Sequence, residues 1–179
     1  MICERCGAPM KLVVDKIYFR CEYCGWVYYP EATPDGVRSL GEPSPANCPL
    51  CKVPLSFAAI EETPVLYCER CRGVLVPQGS FVPTIEKRRR HLNHKPVVPS
   101  PLDLRELDRR INCPKCGQRM DTHPYGGPGN IVIDNCPECH LNWLDYQEFW
   151  RVVTAPDPHR QDDDPLAWVR PYDEIEEKI

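Results

Sequence analysis

The chain has 179 residues, of which 21 are proline, 12 are cysteine and only four are phenylalanine, and its formal net charge is −4 at pH 7. The many prolines and few large apolar side chains argue against one large core, and no stretch approaches the roughly 18 apolar residues of a membrane-spanning helix. The N-terminus enters a cysteine motif directly and lacks the apolar segment of a secretory signal. We therefore expect a cytoplasmic protein without a membrane span.

Every cysteine belongs to a Cys-x-x-Cys pair, and six such pairs follow one another along the chain. Taken two by two, the pairs form three units with internal spacers of 14, 16 and 19 residues, and 23 and 41 residues separate the units. The internal spacers lie close to the roughly 15–20 residues of a four-cysteine zinc site. The three candidate metal sites are Cys3, Cys6, Cys21 and Cys24; Cys48, Cys51, Cys68 and Cys71; and Cys113, Cys116, Cys136 and Cys139.

Disulfide bonds, thioredoxin-like redox chemistry and metal binding are three explanations for this pattern. A reducing cytosol disfavours disulfides, and a thioredoxin-like site would need one pair beside a βαβ pattern, which the sequence lacks. Metal binding explains the pairing, the even count and the spacers together. Four thiolates around Zn²⁺ form a closed tetrahedral shell with no position for a substrate. The sequence therefore predicts three Zn²⁺ sites.

Each unit is also predicted to contain a β-hairpin between its two cysteine pairs. The strand-like runs lie around Asp15-Lys16 in the first unit, around 61–64 in the second and after YGGPGN in the third. Hairpins this small are marginal in water, so we expect the metal to supply the folding energy. Gly7, Gly25 and Gly117 directly follow the second cysteine of their pairs, where a tight turn can require positive φ.

The repeated cysteine unit organises the predicted fold. The fold class is a small metal-stabilised β protein, in which three tandem zinc ribbons of rubredoxin-like knuckle hairpins are joined by short helices and proline-rich linkers. The expected segments are a first zinc ribbon at 1–28, a linker at 29–46, a second ribbon at 47–80, a basic helical linker at 81–111, a third ribbon with a C-terminal short helix at 112–154 and an acidic tail at 155–179.

The third unit carries a more specific pattern, in CPKCGQRM and IVIDNCPECHLNWLDYQEFW. Residues 113–153 resemble the zinc ribbon family of the transcription-factor-IIB type, in which two CPxC motifs flank a hairpin and Trp-Leu-Asp follows. Residues 48–90 resemble it more loosely, with 74–77 at the place of the tryptophan motif. The resemblance implies a zinc ribbon fold. It implies little about activity, because such ribbons bind proteins, bind nucleic acids or serve only a structural role.

Within that motif, Trp143 has two interpretations: packing beside the metal, or an aromatic contact for a partner. Asp145 and Glu148 are predicted to form an N-capping pair that starts a short helix in YQEFWRVV.

A competing resemblance covers CEYCGWVYYPEATPDGV and NCPLC, at residues 21–51. These segments look like a rubredoxin, a family that holds one iron ion with four cysteines. The resemblance implies that Cys21 and Cys24 share an ion with Cys48 and Cys51, and that the protein carries an electron. Fe at one site is therefore kept as an alternative to zinc.

The run KRRRHLNHK at 87–95 is the most basic stretch of the chain and is predicted to form a short helix, with Thr84 as a candidate N-cap. Its charge is consistent with a solvated linker helix. It is also consistent with binding to RNA or DNA, to an acidic partner or to the acidic tail of the same chain. The candidate binding residues are Lys87, Arg88, Arg89 and Arg90.

Two further segments are predicted from their own composition. Residues 100–111 should form a second linker helix, with Ser100 as its N-cap. The tail places Leu166, Trp168, Val169 and Tyr172 in an acidic, proline-rich setting. Such segments often dock on another surface, so Trp168 and Tyr172 are candidate partner-binding residues.

The pattern indicates no enzyme and no small-molecule substrate, because it contains no nucleophile motif, glycine-rich phosphate loop or open metal position. We expect a non-catalytic zinc-binding ribbon array that acts as a protein–protein adaptor or as an assembly subunit of a larger complex. The alternatives are a nucleic-acid-associated ribbon protein that uses 87–95, and an iron electron carrier.

Overall fold

Short antiparallel strands dominate the fold. The structure, a computed structural model, describes residues 1–13, 16, 18–92 and 95–156. In these residues the elements are β1 Met10–Val13, β2 Tyr18–Cys21, β3 Val27–Tyr28, β4 Val37–Asn47, β5 Pro54–Ile60, β6 Thr63–Tyr67, β7 Val74–Pro77, α1 Gln78–His91, a 3₁₀ helix Leu104–Asp108, β8 Asp121–Pro124, β9 Val132–Cys136, β10 Leu141–Leu144 and α2 Glu148–Thr154.

The first ribbon is a small sheet of its own, in the order β1-β2-β3. Its hairpin pairs Met10 with Cys21 and Leu12 with Phe19, as the alternation of its sequence predicts. Phe19 is buried in a cluster with Met10, and Leu40 of β4 and Ala59 of β5 belong to the same cluster. The first ribbon therefore packs on the strands of the second ribbon.

The second and third ribbons share one seven-stranded sheet, in the order β4-β5-β6-β7-β10-β9-β8. The junction is the antiparallel pairing of β7 with β10, in which Leu75 lies opposite Trp143. These two residues occupy equivalent places, since each lies four positions after the second cysteine of its knuckle. A local two-fold axis thus relates the two ribbons, as in a symmetric dimer interface, but within one chain.

One face of the shared sheet is covered by α1 and α2. The buried cluster beneath these helices consists of Val37, Ala58, Ile60, Val65, Tyr67, Val74, Val76, Phe81, Ile85, Ile131, Ile133, Leu144, Phe149, Val152 and Val153. This core is larger than the sequence analysis expected. The alternating strands of two ribbons contribute to it together, so neither ribbon has to form a core alone.

Both linkers differ from their predicted structure. Residues 37–46, which were placed in the first linker, form β4 together with Asn47 at the edge of the sheet, with register shifts on either side of Pro43. An edge strand tolerates proline because one side of its backbone needs no partner. Helix α1 begins at Gln78, earlier than predicted, and Thr84 lies inside it with its hydroxyl donating to the Ser80 carbonyl.

The second linker helix is shorter than expected. It is a single 3₁₀ turn, and Asp103 rather than Ser100 caps it by accepting from the Arg105 N–H. The predicted cluster of Leu166, Trp168, Val169 and Tyr172 lies outside the described residues. Within the described residues, no helix has the length and apolar character needed to cross a bilayer.

Candidate metal centres and adjoining surfaces

The cysteines converge in three groups of four. In each group the four sulfurs all lie within 4.8 Å of one another, and the groups are Cys3, Cys6, Cys21 and Cys24; Cys48, Cys51, Cys68 and Cys71; and Cys113, Cys116, Cys136 and Cys139. These are the groups predicted from the spacers. The rubredoxin-like arrangement, in which Cys21 and Cys24 would join Cys48 and Cys51, is not the one that the structure adopts.

Distances between sulfurs test whether a metal ion fits. The Sγ atoms of Cys3 and Cys24, of Cys48 and Cys71, and of Cys116 and Cys136 are each 3.6 Å apart. A tetrahedral site with Zn–S bonds of about 2.3 Å places its sulfurs about 3.8 Å apart, whereas a disulfide places them about 2 Å apart. All twelve cysteines are free of disulfides. The donor sets therefore fit a tetrahedral ion.

The turn around each pair is the same at all six positions. The residue that follows the second cysteine has positive φ in every case: 74° at Gly7, 73° at Gly25, 59° at Lys52, 62° at Arg72, 74° at Gly117 and 52° at His140. Glycine was expected at this place for that reason. Three knuckles use a larger residue instead, although left-handed backbone costs such residues roughly 1–2 kcal/mol.

Backbone amides point at the sulfurs. The N–H of Cys51 donates to Cys48 Sγ at 3.2 Å, and the N–H of Lys115 donates to Cys113 Sγ at 3.4 Å. In the first ribbon, the backbone N–H of Cys24 is the main cause that lowers the pKa of Cys21 to about 7. The knuckle backbone thus favours the thiolate form, which is the form that binds metal.

Trp143 lies in the interior beside the third metal group. Its side chain is fully buried among Leu75, Met120 and the cysteines, and its indole N–H donates to Asp145 Oδ1 at 2.9 Å. The ring presents no exposed surface to a partner, which corresponds to the packing interpretation. It also lies so close to Gly73 that a Cβ there would be 2.2 Å from Cζ2 of the indole.

The predicted capping pair is found in part. The Glu148 carboxylate accepts from the Asp145 N–H at 2.5 Å, as the second half of a capping box does. The Asp145 carboxylate, in contrast, accepts from Trp143 and Arg109 instead of capping α2. Burial raises the pKa of Glu148 to about 8, and its Oε1 is buried without a hydrogen-bond partner.

An arginine that the sequence analysis did not single out ties the second linker to the third ribbon. Arg109 bridges Asp134, which is fully buried, and Asp145. Thr122 donates to the other oxygen of Asp134. Burial raises the pKa of Asp134 despite these contacts. The sequence signal was a charged residue at the end of IVID, directly after three apolar residues.

The basic run is largely engaged by the same chain. Lys87 pairs with Glu62, and Arg88 and His91 contact the two oxygens of Glu61 at 3.0 and 2.8 Å. Burial opposes the charge of Glu61, but the contacts with His91 and Arg88 outweigh it and lower the pKa.

Two other members of the run differ in exposure. Arg89 is buried, and its guanidinium donates to the carbonyls of Val152 and Ala155 at the end of α2. Arg90 is exposed. Of the four basic residues proposed for partner binding, Arg89 is thus enclosed by packing between the two helices.

Two concave surfaces lie outside the sulfur clusters themselves, and the first of them adjoins the third metal group through Pro114 and Lys115. An apolar groove of about 510 Å³ lies on the side of the sheet that includes Leu66, Leu75 and Leu141. A polar cleft of about 500 Å³ lies between the first ribbon and α1, with Tyr18 and Tyr29 on one wall.

Comparison with known proteins bears on one segment of the chain. No curated protein and no solved structure matches the chain. A family model for zinc ribbons of the transcription-factor-IIB type, described as transcription factor zinc-finger, matches residues 112–155. The segment contains the third metal group, Trp143 and α2. The third ribbon is therefore similar to the ribbons of the transcription-factor-IIB type, which confirms the family expected for this part of the chain.

Proposed function

We propose that this protein is a non-catalytic zinc-binding adaptor, which binds a segment of another protein in the apolar groove of the shared sheet. The observation that carries this proposal is the groove itself. Leu66 of β6, Leu75 of β7 and Leu141 of β10 line it together, so it exists only because the second and third ribbons are joined.

The lining of the groove indicates the chemistry of the partner. Four prolines contribute to it, Pro45, Pro64, Pro77 and Pro114, and proline offers no backbone N–H to a bound strand. Among the residues that the structure describes, Lys115 is the one charged side chain in the lining, and it is exposed. The partner that fits is a peptide segment with two or three apolar side chains and a neighbouring carboxylate, held by its side chains.

Zinc is the metal in this proposal. Four thiolates at tetrahedral spacing suit Zn²⁺, and they leave no coordination position for a substrate, which supports a structural role. A cytoplasmic location fits as well, because thiols stay reduced there. Elemental analysis should give three zinc ions per chain in colourless protein. A red protein that contains iron would instead support the electron-carrier alternative.

Selection of displayed peptides against the full metal-loaded chain tests the groove without a known partner. We expect a consensus of apolar residues beside Asp or Glu. Leu66→Glu should abolish enrichment, whereas Leu104→Glu should not, since Leu104 is 68% exposed in the 3₁₀ helix, away from the groove. Zinc content and circular dichroism establish that both variants are folded.

Charge reversal at the rim gives a second test that does not disturb packing. Lys115→Glu should shift the consensus from acidic to basic residues. An unchanged consensus, or equal enrichment on both leucine variants, would contradict the proposal. Removal of residues 157–179 should leave peptide affinity unchanged. A marked rise would identify the tail as the occupant and overturn binding to another protein.

A further inference from the structure

The cleft between the first ribbon and α1 combines aromatic and basic side chains. Tyr18 of β2 and Tyr29 form one wall, with ring centroids 5.3 Å apart and an interplanar angle of 57°. Tyr29 is 56% exposed although it is a large aromatic residue. Three different parts of the chain supply the opposite wall, through Arg38 of β4, Glu61 and Glu62 of the β5–β6 turn, and Lys87 and His91 of α1.

The charges of the cleft are not equivalent. The Glu61 side chain is only 12% exposed, and its two carboxylate oxygens contact Arg88 and His91. Arg38 donates to the backbone carbonyl of Glu61. This hydrogen bond does not neutralise its positive charge, because the acceptor is not a carboxylate. Lys16, which is exposed, adds another cation.

Glu62 is the acidic group that opposes an anion in this cleft. Its side chain is 84% exposed and pairs with Lys87. An exposed pair of this kind contributes little to stability, so an anionic ligand can displace it.

A ligand that matches this arrangement needs a flat apolar face for the tyrosines and a negative charge within reach of the cations. Single-stranded nucleic acid has both, since its bases stack on exposed aromatic rings while its phosphates contact basic side chains. A duplex matches the tyrosines less well, because its bases are already stacked on each other.

We propose that this cleft binds single-stranded nucleic acid, with a base stacked on Tyr29 and the flanking phosphates held by Arg38, Lys87 and Lys16. The site differs from the one expected for the basic run, because Arg88 and Arg89 serve internal contacts, Tyr18 belongs to the first ribbon and Tyr29 directly follows its last strand. It does not depend on the apolar groove or on the adaptor proposal.

Fluorescence anisotropy with labelled oligo(U) and oligo(dT) of about ten nucleotides, on the full metal-loaded chain, tests this proposal. Tyr29→Ala should weaken binding by roughly tenfold or more, because one stacked base is lost. Tyr23→Ala is the matched control, since Tyr23 is 86% exposed on the same ribbon but does not line the cleft. Tyr29→Phe should bind nearly as well as the wild type, because the stacking face is retained.

Charge variants separate an anionic ligand from a peptide. Glu62→Gln should strengthen binding, and Lys87→Gln should weaken it. If three phosphates are contacted, raising the salt concentration from 50 to 200 mM should lower the affinity on the order of tenfold. A duplex of the same length should bind more weakly than the single strands.

The opposite results overturn the proposal. These are the absence of binding to either oligonucleotide, equal losses for Tyr29→Ala and Tyr23→Ala, or weaker binding by Glu62→Gln. If Tyr29→Ala instead abolishes binding of the peptides that were selected on the wild-type chain, the cleft binds protein and not nucleic acid. Zinc content measured for every variant excludes loss of the first ribbon as the cause.

Discussion

The first ribbon and the joined second and third ribbons have the same four-cysteine frame but are stabilised differently. The first ribbon has three strands and a small buried cluster around Phe19. Leu40 of β4 and Ala59 of β5 complete this cluster. The joined ribbons place a core of 15 buried residues under two helices. Two units too small to form a core alone thus obtain one by pairing edge to edge, and we expect the first ribbon, which has its own small sheet, to depend more on its metal.

Metal removal should reveal this difference most strongly, since a structural zinc site contributes roughly 10–16 kcal/mol of apparent binding free energy. A strong chelator with a reductant should abolish amide protection throughout β1–β3. Part of the protection in β7, β9 and β10 should remain, because the core beneath α1 and α2 contains no cysteine. Hydrogen exchange followed by mass spectrometry measures both regions in one sample.

The control for this experiment is the same chelator already loaded with Zn²⁺, which should change nothing. Protection that survives in β1–β3 after metal loss, or that disappears equally from both regions, would contradict the proposed division of stability.

Tryptophan truncation compares the two regions directly. Trp143→Ala should lower the free energy of unfolding by about 3–5 kcal/mol, because a fully buried ring is removed from the junction. Trp26→Ala in the first ribbon should cost less, since Trp26 is only partly buried. Denaturant unfolding followed by circular dichroism measures both. Equal costs would mean that Trp143 is not central to the junction.

The contact between Gly73 and Trp143 can be tested from the glycine side. Gly73→Ala should destabilise by about 1–3 kcal/mol, because the new methyl group would overlap the indole. Gly79→Ala is the matched control, since its added Cβ meets no described atom within 4 Å beyond the adjoining helix backbone, and it should stabilise α1 slightly. Combining Gly73→Ala with Trp143→Phe should recover part of the loss. Additive costs would exclude a direct clash.

The smallest expected effect concerns pH. The pKa of Glu148 is about 8 in the folded protein, above the ordinary value of 4.5, so the folded state binds more protons between these values and stability falls as pH rises through that window. Glu148→Gln removes this penalty and keeps an acceptor for the Asp145 N–H. We expect little change at pH 5 and a gain on the order of 1 kcal/mol at pH 8, measured by urea unfolding. A gain that is the same at both pH values would contradict it.

The sequence was most informative about local structure. The cysteine groups, the hairpins and the positive φ at Gly7, Gly25 and Gly117 are confirmed, because each follows from spacing or from a short stretch of chain. Helix α2 was also predicted, together with the family of the third ribbon.

Long-range pairing was not predictable in the same way. Residues 74–77 were compared with the tryptophan motif, and Leu75 does lie opposite Trp143, but nothing in one sequence states that the two strands pair with each other. Residues 37–47 contain Gly41, Pro43 and Pro45, which indicate a loop unless the segment is known to lie at an edge. The basic run likewise gave no sign that Glu61 and Glu62 would meet it.

The two-fold junction between Leu75 and Trp143 has a consequence for pieces of the molecule. Because both halves belong to one polypeptide, their assembly is insensitive to dilution, unlike that of two separate subunits. A fragment that carried only the third ribbon would leave β10 with an unpaired backbone, and such an edge recruits another copy of itself. Cutting the chain between the second and third ribbons should thus make the pairing of β7 with β10 depend on protein concentration, whereas in the intact chain it is intramolecular.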